Sequence, residues 1–458
     1  MPVKVKSPAA RRAARAIAAL VAAAALCVGQ TAQATSILRD TEFERVIRAM
    51  ADPIFTAAGL SPQSITIYLL DDPEVNAFVA EGQNMFIHTG LILKFDSLDE
   101  VLGVMAHETG HIAGGHIVRR RDAVAAAQIP MLLSVLGAVA AVALGAPEAA
   151  IGAMGYGQQM AQKGLMAFTR TQESSADQAA LTYLERTHRS PQGLLRVMNT
   201  FAQEEAMSLS RIDPYLLSHP VSRERIAALE DRAHQSPYFD TPVNAKERFA
   251  YDMIRAKLRG YVSLPQTTLN LYPLSDTSAP ARYARTFAYF KQHDFDRALL
   301  EIRSLIAEQP KNPFFYETEG QILVDSGRAH EGIEPYKRAV ALAPDAPLLH
   351  AALGNAYAVT EDPALMVPAR DQLLAAVRAD DQITMAWGDL ATVYESLGEH
   401  AMANLATAEQ RYSIGDYLGA LQFGVRAQKD LKPGTVDWQR ATDIVAIAQT
   451  NVTEARQN

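Results

Sequence analysis

The segment HETGH, residues 107–111, constrains this chain more than any other stretch of its sequence. It places His107 and His111 four positions apart, with Glu108 directly after the first histidine. Residues four apart on an α-helix share one face, so both imidazoles can point at a single metal ion. Zinc accepts imidazole nitrogens, and a carboxylate beside it can take a proton from the attacking water. The motif predicts a zinc-dependent hydrolase; the alternative is a chance match on a surface helix.

The residues around this motif favour a helix. Ser97 and Glu100 have the spacing of a capping box, and an apolar run leads from Val101 into the motif. The pair Gly114-Gly115 loosens or ends the helix. The sequence therefore predicts a helix that begins near Ser97 and carries both histidines on one face.

Residues 1–34 have the pattern of a secretory signal peptide. Five basic residues come first, Ala16–Val28 is apolar, and Ala32-Gln33-Ala34 is a small-x-small cleavage site. The alternative is a permanent membrane anchor, but this apolar stretch is short for a span. We therefore expect export and cleavage after Ala34.

Cleavage would change the charge and the cysteine content. The net charge would go from −8 to −13, and the single cysteine, Cys27, would be lost. A chain without cysteine cannot be a cysteine protease, and it can form no disulfide. The acidic balance also argues against a nucleic-acid partner.

Short strands and a hairpin are predicted before the motif. Residues 64–70 are β-branched and apolar, and residues 76–79 and 85–88 flank a Gly-containing turn. Beside a metal helix, such a hairpin can offer an open edge strand to an extended peptide.

The segment 123–154 is rich in Ala, Gly, Leu and Val, and residues 129–146 contain no charge. This length is at the lower edge for a transmembrane helix. Pro130 and the Ala/Gly content favour instead a buried helical hairpin, or a mobile cover that contacts membrane or substrate. Membrane insertion remains an alternative.

Beyond a proline-containing linker at residues 263–280, the chain repeats. Its period is 34 residues, and each repeat has the pattern of two amphipathic helices; an insertion near Glu361–Pro368 displaces the third. The residues 34 positions apart are Pro310 and Pro344, Gly320 and Gly354, and Ala298 and Gly332. This resembles the tetratricopeptide repeat in period and pattern, and it predicts a helical solenoid over residues 281–450.

A catalytic zinc site usually has three protein ligands, so a third is needed. Glu173 and Asp177 are four apart and can face the metal helix from a second helix. Glu173 can ligate zinc while Asp177 accepts a ring N–H from a ligand histidine. The alternative is a solvated acidic face.

HETGH followed by Glu173-Ser-Ser-Ala-Asp177 resembles the M48 family of zinc metallopeptidases. The family pattern is HExxH with a later ExxxD. Further similarity lies in residues 76–78 with Gly90-Leu91, and in His219-Pro220 followed by Arg225-Ile226.

The resemblance implies roles for seven residues. His107, His111 and Glu173 would hold one zinc ion, Glu108 would be the general base and then acid, and Asp177 would support a ligand histidine. His219 would lie over the metal, stabilising the oxyanion or occupying the fourth position in a self-inhibited state, and Arg225 could assist it. His116, five residues after His111, is rotated off the shared face and is not predicted as a ligand.

The predicted fold is mainly α. A gluzincin-like α+β metalloprotease domain with a small β-sheet, residues 35–262, precedes the tetratricopeptide-repeat solenoid. The resemblance implies a periplasmic endopeptidase in quality control of outer-membrane proteins, with repeats that engage misfolded or stalled precursors or their assembly machinery. Two alternatives stay open: a repeat-scaffold chaperone with a vestigial or self-inhibited metal site, and an integral membrane protease.

Overall fold

The fold was obtained as a computed structural model. It describes residues 36–80, 83–143, 147–207, 215 and 219–457. The predicted signal peptide, the hairpin turn at Glu81-Gly82 and the end of the uncharged stretch at 144–146 lie outside these described residues.

A small sheet opens the fold. Its strands are β1 (Ile37–Leu38), β2 (Thr66–Leu70), β3 (Ala77–Ala80) and β4 (Asn84–His88). Their order is β1-β2-β4-β3; β2 and β4 are parallel, whereas β3 and β4 are antiparallel. The predicted hairpin is therefore confirmed, and β3 is an edge strand.

Helix α1 (Thr41–Ala57) lies between β1 and β2. The carboxylate of Asp40 caps it by accepting the backbone N–H of Phe43 at 2.7 Å. Phe43, Ile47 and Ile54 recur at helical spacing and are buried in the core of this part of the chain.

After the short helix α2 (Thr89–Lys94), helix α3 (Leu98–Ala113) carries the HETGH motif. It begins where the sequence predicts, and the Glu100 carboxylate accepts the backbone N–H of Ser97 at 3.0 Å. The side chains from Leu98 to His111 are all buried, apart from two half-buried acids in the first turn. The metal motif thus lies in the centre of the core.

Two long helices come next, α4 (His116–Ala143) and α5 (Pro147–Arg186), and they pack along each other as a hairpin. Helix α5 then returns to contact α3, which brings residues 173–177 to the metal motif. Many described side chains of the hairpin are exposed, so the alternative of a buried hairpin is wrong for this part. No helix among the described residues is long and apolar enough to cross a membrane.

Helices α6 (Gln192–Met207), α7 (Arg223–His234) and α8 (Ala245–Val262) complete this half of the chain. The predicted linker, residues 263–280, contains helix α9 (Pro265–Leu271) and the start of α10 (Ala279–Lys291). Helices α9 and α10 contact each other, so this segment is folded against the first helix of the repeats.

The repeats form successive pairs of helices, as the sequence predicts. After α10 the helices are α11 (Phe295–Glu308), α12 (Pro313–Asp325), α13 (Ala329–Leu342), α14 (Pro347–Ala358), α15 (Met366–Ala379), α16 (Thr384–Ser396), α17 (His400–Ser413), α18 (Tyr417–Asp430) and α19 (Val436–Gln457). Gly320 lies against the Tyr336 ring and Gly354 against Leu373, where an added Cβ would be within 3 Å of the neighbour. The 34-residue spacing of glycines therefore marks where helices cross closely.

The two halves of the chain share an interface. Ion pairs join Arg39 to Asp380 at 2.6 Å and Arg45 to Asp345 at 2.8 Å. A cavity of about 360 Å³ lies between the two halves of the chain, and it is lined by β1, α8 and helices of the repeats.

Candidate active site

Helix α3 supplies two imidazoles to one point. The Nε2 atoms of His107 and His111 lie 3.1 Å apart, an approach that the four-residue spacing allows. Both rings are buried.

Helix α5 adds the Glu173 carboxylate. Its oxygens lie 3.3 Å from His107 Nε2 and 3.4 Å from His111 Nε2. Such a close approach of α5 to α3 depends on Gly110, since an added Cβ would lie 2.9 Å from the backbone oxygen of Ala176. The glycine inside the motif thus permits the carboxylate to reach the histidines.

His219 completes the cluster from the segment before α7. Its Nδ1 lies 3.1 Å from Glu173 Oε2 and 3.3 Å from His107 Nε2. The ring is held by Tyr215, whose ring centroid is 4.8 Å away and whose carbonyl accepts the His219 backbone N–H at 2.7 Å. Ligand atoms of His107, His111, Glu173 and His219 all lie within 4.8 Å of one another.

These donors fit a zinc ion. Four ligands at about 2.0–2.1 Å in a tetrahedron are separated by about 3.4 Å. Five of the six distances between donor atoms, all except that between His111 and His219, range from 3.1 to 3.4 Å. Imidazole nitrogens and a buried carboxylate are also the donors that zinc prefers.

Glu108 is buried beside this cluster. Neither of its carboxylate oxygens has a hydrogen-bond partner among the described residues, and His219 Nε2 lies 3.4 Å from Oε1. Burial raises the pKa of the Glu108 carboxyl above its ordinary value, although the nearby histidines oppose this. A buried carboxylate without a partner is costly, and at active sites such groups exchange protons with substrate or water.

Asp177 contacts the far side of the His107 ring, with Oδ1 3.0 Å from Nδ1. Arg225 donates two hydrogen bonds to the same carboxylate, from Nε to Oδ2 at 2.8 Å and from Nη2 to Oδ1 at 2.9 Å. Burial lowers the pKa of His107, but hydrogen bonds to Asp177 and Glu173 outweigh it and raise the pKa to about 10. Because Asp177 lies beside Nδ1, the Nε2 of the His107 ring is directed toward the cluster.

Arg225 also joins the His219 segment to the ligand helix. Its Nη1 donates to the Pro220 carbonyl at 2.6 Å and lies 3.2 Å from Glu173 Oε2. Arg225 thus contacts the third candidate ligand and the residue after the fourth.

His116 also contacts the site, although the sequence did not predict this contact. Nδ1 of His116 lies 3.0 Å from Nδ1 of His111, on the side of that ring away from the cluster. Helix α3 ends at Gly114-Gly115, and Gly115 has φ of +62°, so the chain turns back instead of continuing around the helix. The His116 ring also occupies the space of a Gly114 side chain, since an added Cβ would lie 2.3 Å from Nε2. The Gly114-Gly115 pair was the sequence feature that could have predicted this turn and hence the contact of His116.

All seven site residues predicted from the sequence lie together in this structure. Donor atoms of His107, His111, Glu173 and His219 form the cluster, Glu108 lies beside it, and Asp177 and Arg225 lie behind it. Their chemical roles remain predictions.

Comparisons with known proteins agree with this geometry. Residues 38–233 match Peptidase family M48. The beta-barrel assembly-enhancing protease of Yersinia pestis is 22% identical over 420 residues, which cover 90% of this chain and 85% of the relative. The protease of the same name from Escherichia coli (strain K12) is 24% identical over 340 residues, covering 72% and 68%.

Among solved structures, the crystal structure of MamA covers 38% of this chain and 97% of its own, with 21% identity and a TM-score of 0.29. The family match and the relatives over most of the chain establish the enzyme class. Residues 38–233 therefore form a peptidase family M48 domain, and the protein is a metalloprotease.

Proposed function

We propose that this protein is a periplasmic zinc endopeptidase that hydrolyses misfolded or stalled outer-membrane proteins. The observation that carries the chemistry is the buried donor cluster beside the Glu108 carboxylate, which accepts no hydrogen bond from the described residues. The M48 match supports hydrolysis of peptide bonds.

His107, His111 and Glu173 would hold one zinc ion per chain. When bound, zinc acts as a Lewis acid toward a peptide carbonyl and makes water more acidic. Asp177 Oδ1 lies 3.0 Å from His107 Nδ1, so it would accept the proton on that nitrogen and hold Nε2 toward the ion.

Glu108 would move the proton. As general base, its carboxylate takes a proton from the attacking water, and as general acid it returns a proton to the departing amine. The absence of other hydrogen bonds to its oxygens among the described residues leaves both available for this transfer.

His219 would occupy the fourth position in a resting state. Its Nδ1 is as close to Glu173 and His107 as those ligands are to each other. A substrate carbonyl could bind only after this ring moves away, so the arrangement favours self-inhibition.

Extended polypeptides are the proposed substrates. Strand β3 is the edge of the sheet and contacts α3, so a peptide paired along it would pass beside the motif. The name of the relatives, beta-barrel assembly-enhancing protease, supports outer-membrane proteins and their assembly as the setting.

The compartment and domain limits belong to the same proposal. The basic, apolar and small-residue pattern of residues 1–34 supports export to the periplasm. We assign residues 35–262 to the protease domain, 263–280 to the connection and 281–450 to the repeats, whose stacked helices would engage precursors or the assembly machinery.

The second candidate is a repeat-scaffold chaperone with a self-inhibited metal site, and the position of His219 is the observation that favours it. The Glu108→Gln variant separates the two. Because the amide cannot accept the water proton, we expect kcat on an unfolded β-barrel protein to fall by about 10²–10⁴. Zinc content should stay at one per chain.

The exposed Glu230→Gln substitution is the matched control and should leave cleavage unchanged. Retained cleavage by Glu108→Gln would contradict the assignment of the base. If the unchanged protein and Glu108→Gln prevent aggregation of the substrate equally well, and neither cleaves it, the chaperone alternative is established.

A further inference from the structure

The hairpin of α4 and α5 has an apolar part that nothing in the described chain covers. Its exposed large apolar side chains lie away from the metal cluster, toward the end where the two helices are joined. On α4 they include Leu132, Leu133 and Leu136, which are 63%, 62% and 66% exposed; on α5 they include Met154, Tyr156 and Met160.

These side chains surround the helix instead of forming one stripe. Successive residues are about 100° apart on an α-helix, so the exposed run 131–133 already covers most of its circumference. Between Ile129 and Leu136 the remaining residues are Pro130 and Ser134. A flat protein surface would cover one side only, whereas a lipid environment surrounds the hairpin.

Basic residues lie between this apolar part and the active site. Arg119, Arg120 and Arg121 on α4 and Lys163 on α5 are exposed. Residues 116–171 contain five basic and two acidic residues, whereas the whole chain has a net charge of −8. A locally positive segment next to exposed apolar side chains matches a bilayer that contains anionic lipid.

The size of the apolar part limits how deep it can reach. From Ile129 to the end of α4 at Ala143 the apolar part of the helix rises about 21 Å, still short of the ~30 Å hydrocarbon core. From Arg121 to Ile129 it rises about 12 Å, enough to cross the headgroup region, so the arginines can stay at its outer surface. This spacing suits entry into one leaflet.

Both helices of the hairpin are also connected to the catalytic cluster. His116 begins α4 and contacts His111, and Glu173 lies on α5 two turns after Met166. A hairpin seated in a membrane therefore holds the metal site near the bilayer surface.

We propose that the α4–α5 hairpin is a peripheral membrane anchor that inserts into one leaflet of a bilayer containing anionic lipid. This inference is independent of the proposed hydrolysis. It gives the protease access to polypeptide segments at the membrane surface.

The first test is binding to vesicles of phosphatidylcholine alone and of phosphatidylcholine with an equal part of phosphatidylglycerol. The protein used is residues 35–458, which contain every element described above. We expect flotation with the anionic vesicles, release by alkaline carbonate, and weaker binding at high salt. Failure to float, equal binding to both vesicle types, or resistance to carbonate would overturn the proposal.

Two triple variants test the apolar and the basic side chains of the hairpin separately. Leu132→Glu with Leu133→Glu and Leu136→Glu should lower partitioning at least tenfold. Changing all three arginines to Gln should lower it by roughly tenfold to a hundredfold. The matched control is Leu264→Glu with Leu274→Glu and Leu300→Glu, three leucines that are 71–74% exposed elsewhere, and it should bind as the unchanged protein does.

A probe reports insertion directly and does not depend on loss of function. Residues 35–458 contain no cysteine, so Leu132→Cys and Leu300→Cys each carry one environment-sensitive label. We expect a blue shift on vesicle addition, with quenching by brominated lipid, at position 132 only. The same shift at both positions, or a shift at 132 on self-association without vesicles, would refute the anchor.

Discussion

The Nδ1 atom of His219 lies 3.1 Å from Oε2 of Glu173, so the candidate third ligand and the candidate fourth ligand are in direct contact. The His219 ring also packs against the Tyr215 ring, with the two planes tilted by 30°. A metal held by four protein donors has no open position for substrate, whereas three donors leave one. The activity of the protease should therefore depend on how often His219 moves away.

We expect His219→Ala to raise kcat/KM on a short unstructured peptide by about threefold to tenfold, because the competent state is then fully populated. Zinc affinity should fall in the same variant, since one donor is lost. The exposed His234→Ala change is the control. Lower activity at saturating zinc would show instead that His219 stabilises the transition state.

The contact between His116 and His111 leads to a second prediction. His116→Ala removes the group that fixes the orientation of the His111 ring, and such changes lower metal affinity about 10–100-fold. Competition with a chelator measures this affinity, and saturating zinc should restore most of the activity. Unchanged affinity would mean that His116 only fills space beside Gly114.

Arg225 is expected to matter for stability and for the site at once. Removing it leaves the buried Asp177 carboxylate without its bidentate partner, which typically destabilises by about 3–5 kcal/mol. Urea unfolding of Arg225→Ala should show this loss. Arg223→Ala, an exposed arginine on the same helix, should change little; equal losses in both variants would indicate a general helix effect.

The metal site was largely predictable because short spacings within two helices determine which of its side chains come together. Four-residue spacing on α3 and on α5 determines which side chains share a face, and glycine at 110 marks where the two helices meet. His116 was missed because periodicity ends with the helix: once Gly115 turns the chain, spacing no longer gives direction.

The repeats were predictable for a similar reason, since close helix crossings recur every 34 residues. The contact between the two halves of the chain was not predictable from the sequence. Lys257, Glu42 and Glu317 meet there although they are far apart in the sequence, and no periodic pattern predicts which helix surfaces will pack together.

This buried contact gives a pH prediction. Lys257 lies 2.6 Å from Asp40, 3.3 Å from Glu42 and 3.9 Å from Glu317, so three acids share one ammonium group. Burial, aided by the other two acids and opposed by Lys257, raises the pKa of Glu317 from 4.5 to about 7. The folded state thus holds this proton more tightly than the unfolded state, and ionisation destabilises the fold as pH rises from about 4.5 to 7.

Glu317→Gln should therefore raise the free energy of unfolding by about 1–3 kcal/mol at pH 8, because the amide carries no charge that must be buried. The gain should shrink below pH 7 and vanish near pH 4.5, where the carboxyl is protonated in the folded state. Urea unfolding at several pH values measures it, with Glu334→Gln, at an exposed site, as the control. A gain that is the same at every pH would show that ionisation of Glu317 is not its cause, and a loss at pH 8 would show that Lys257 stabilises Glu317 as an ion.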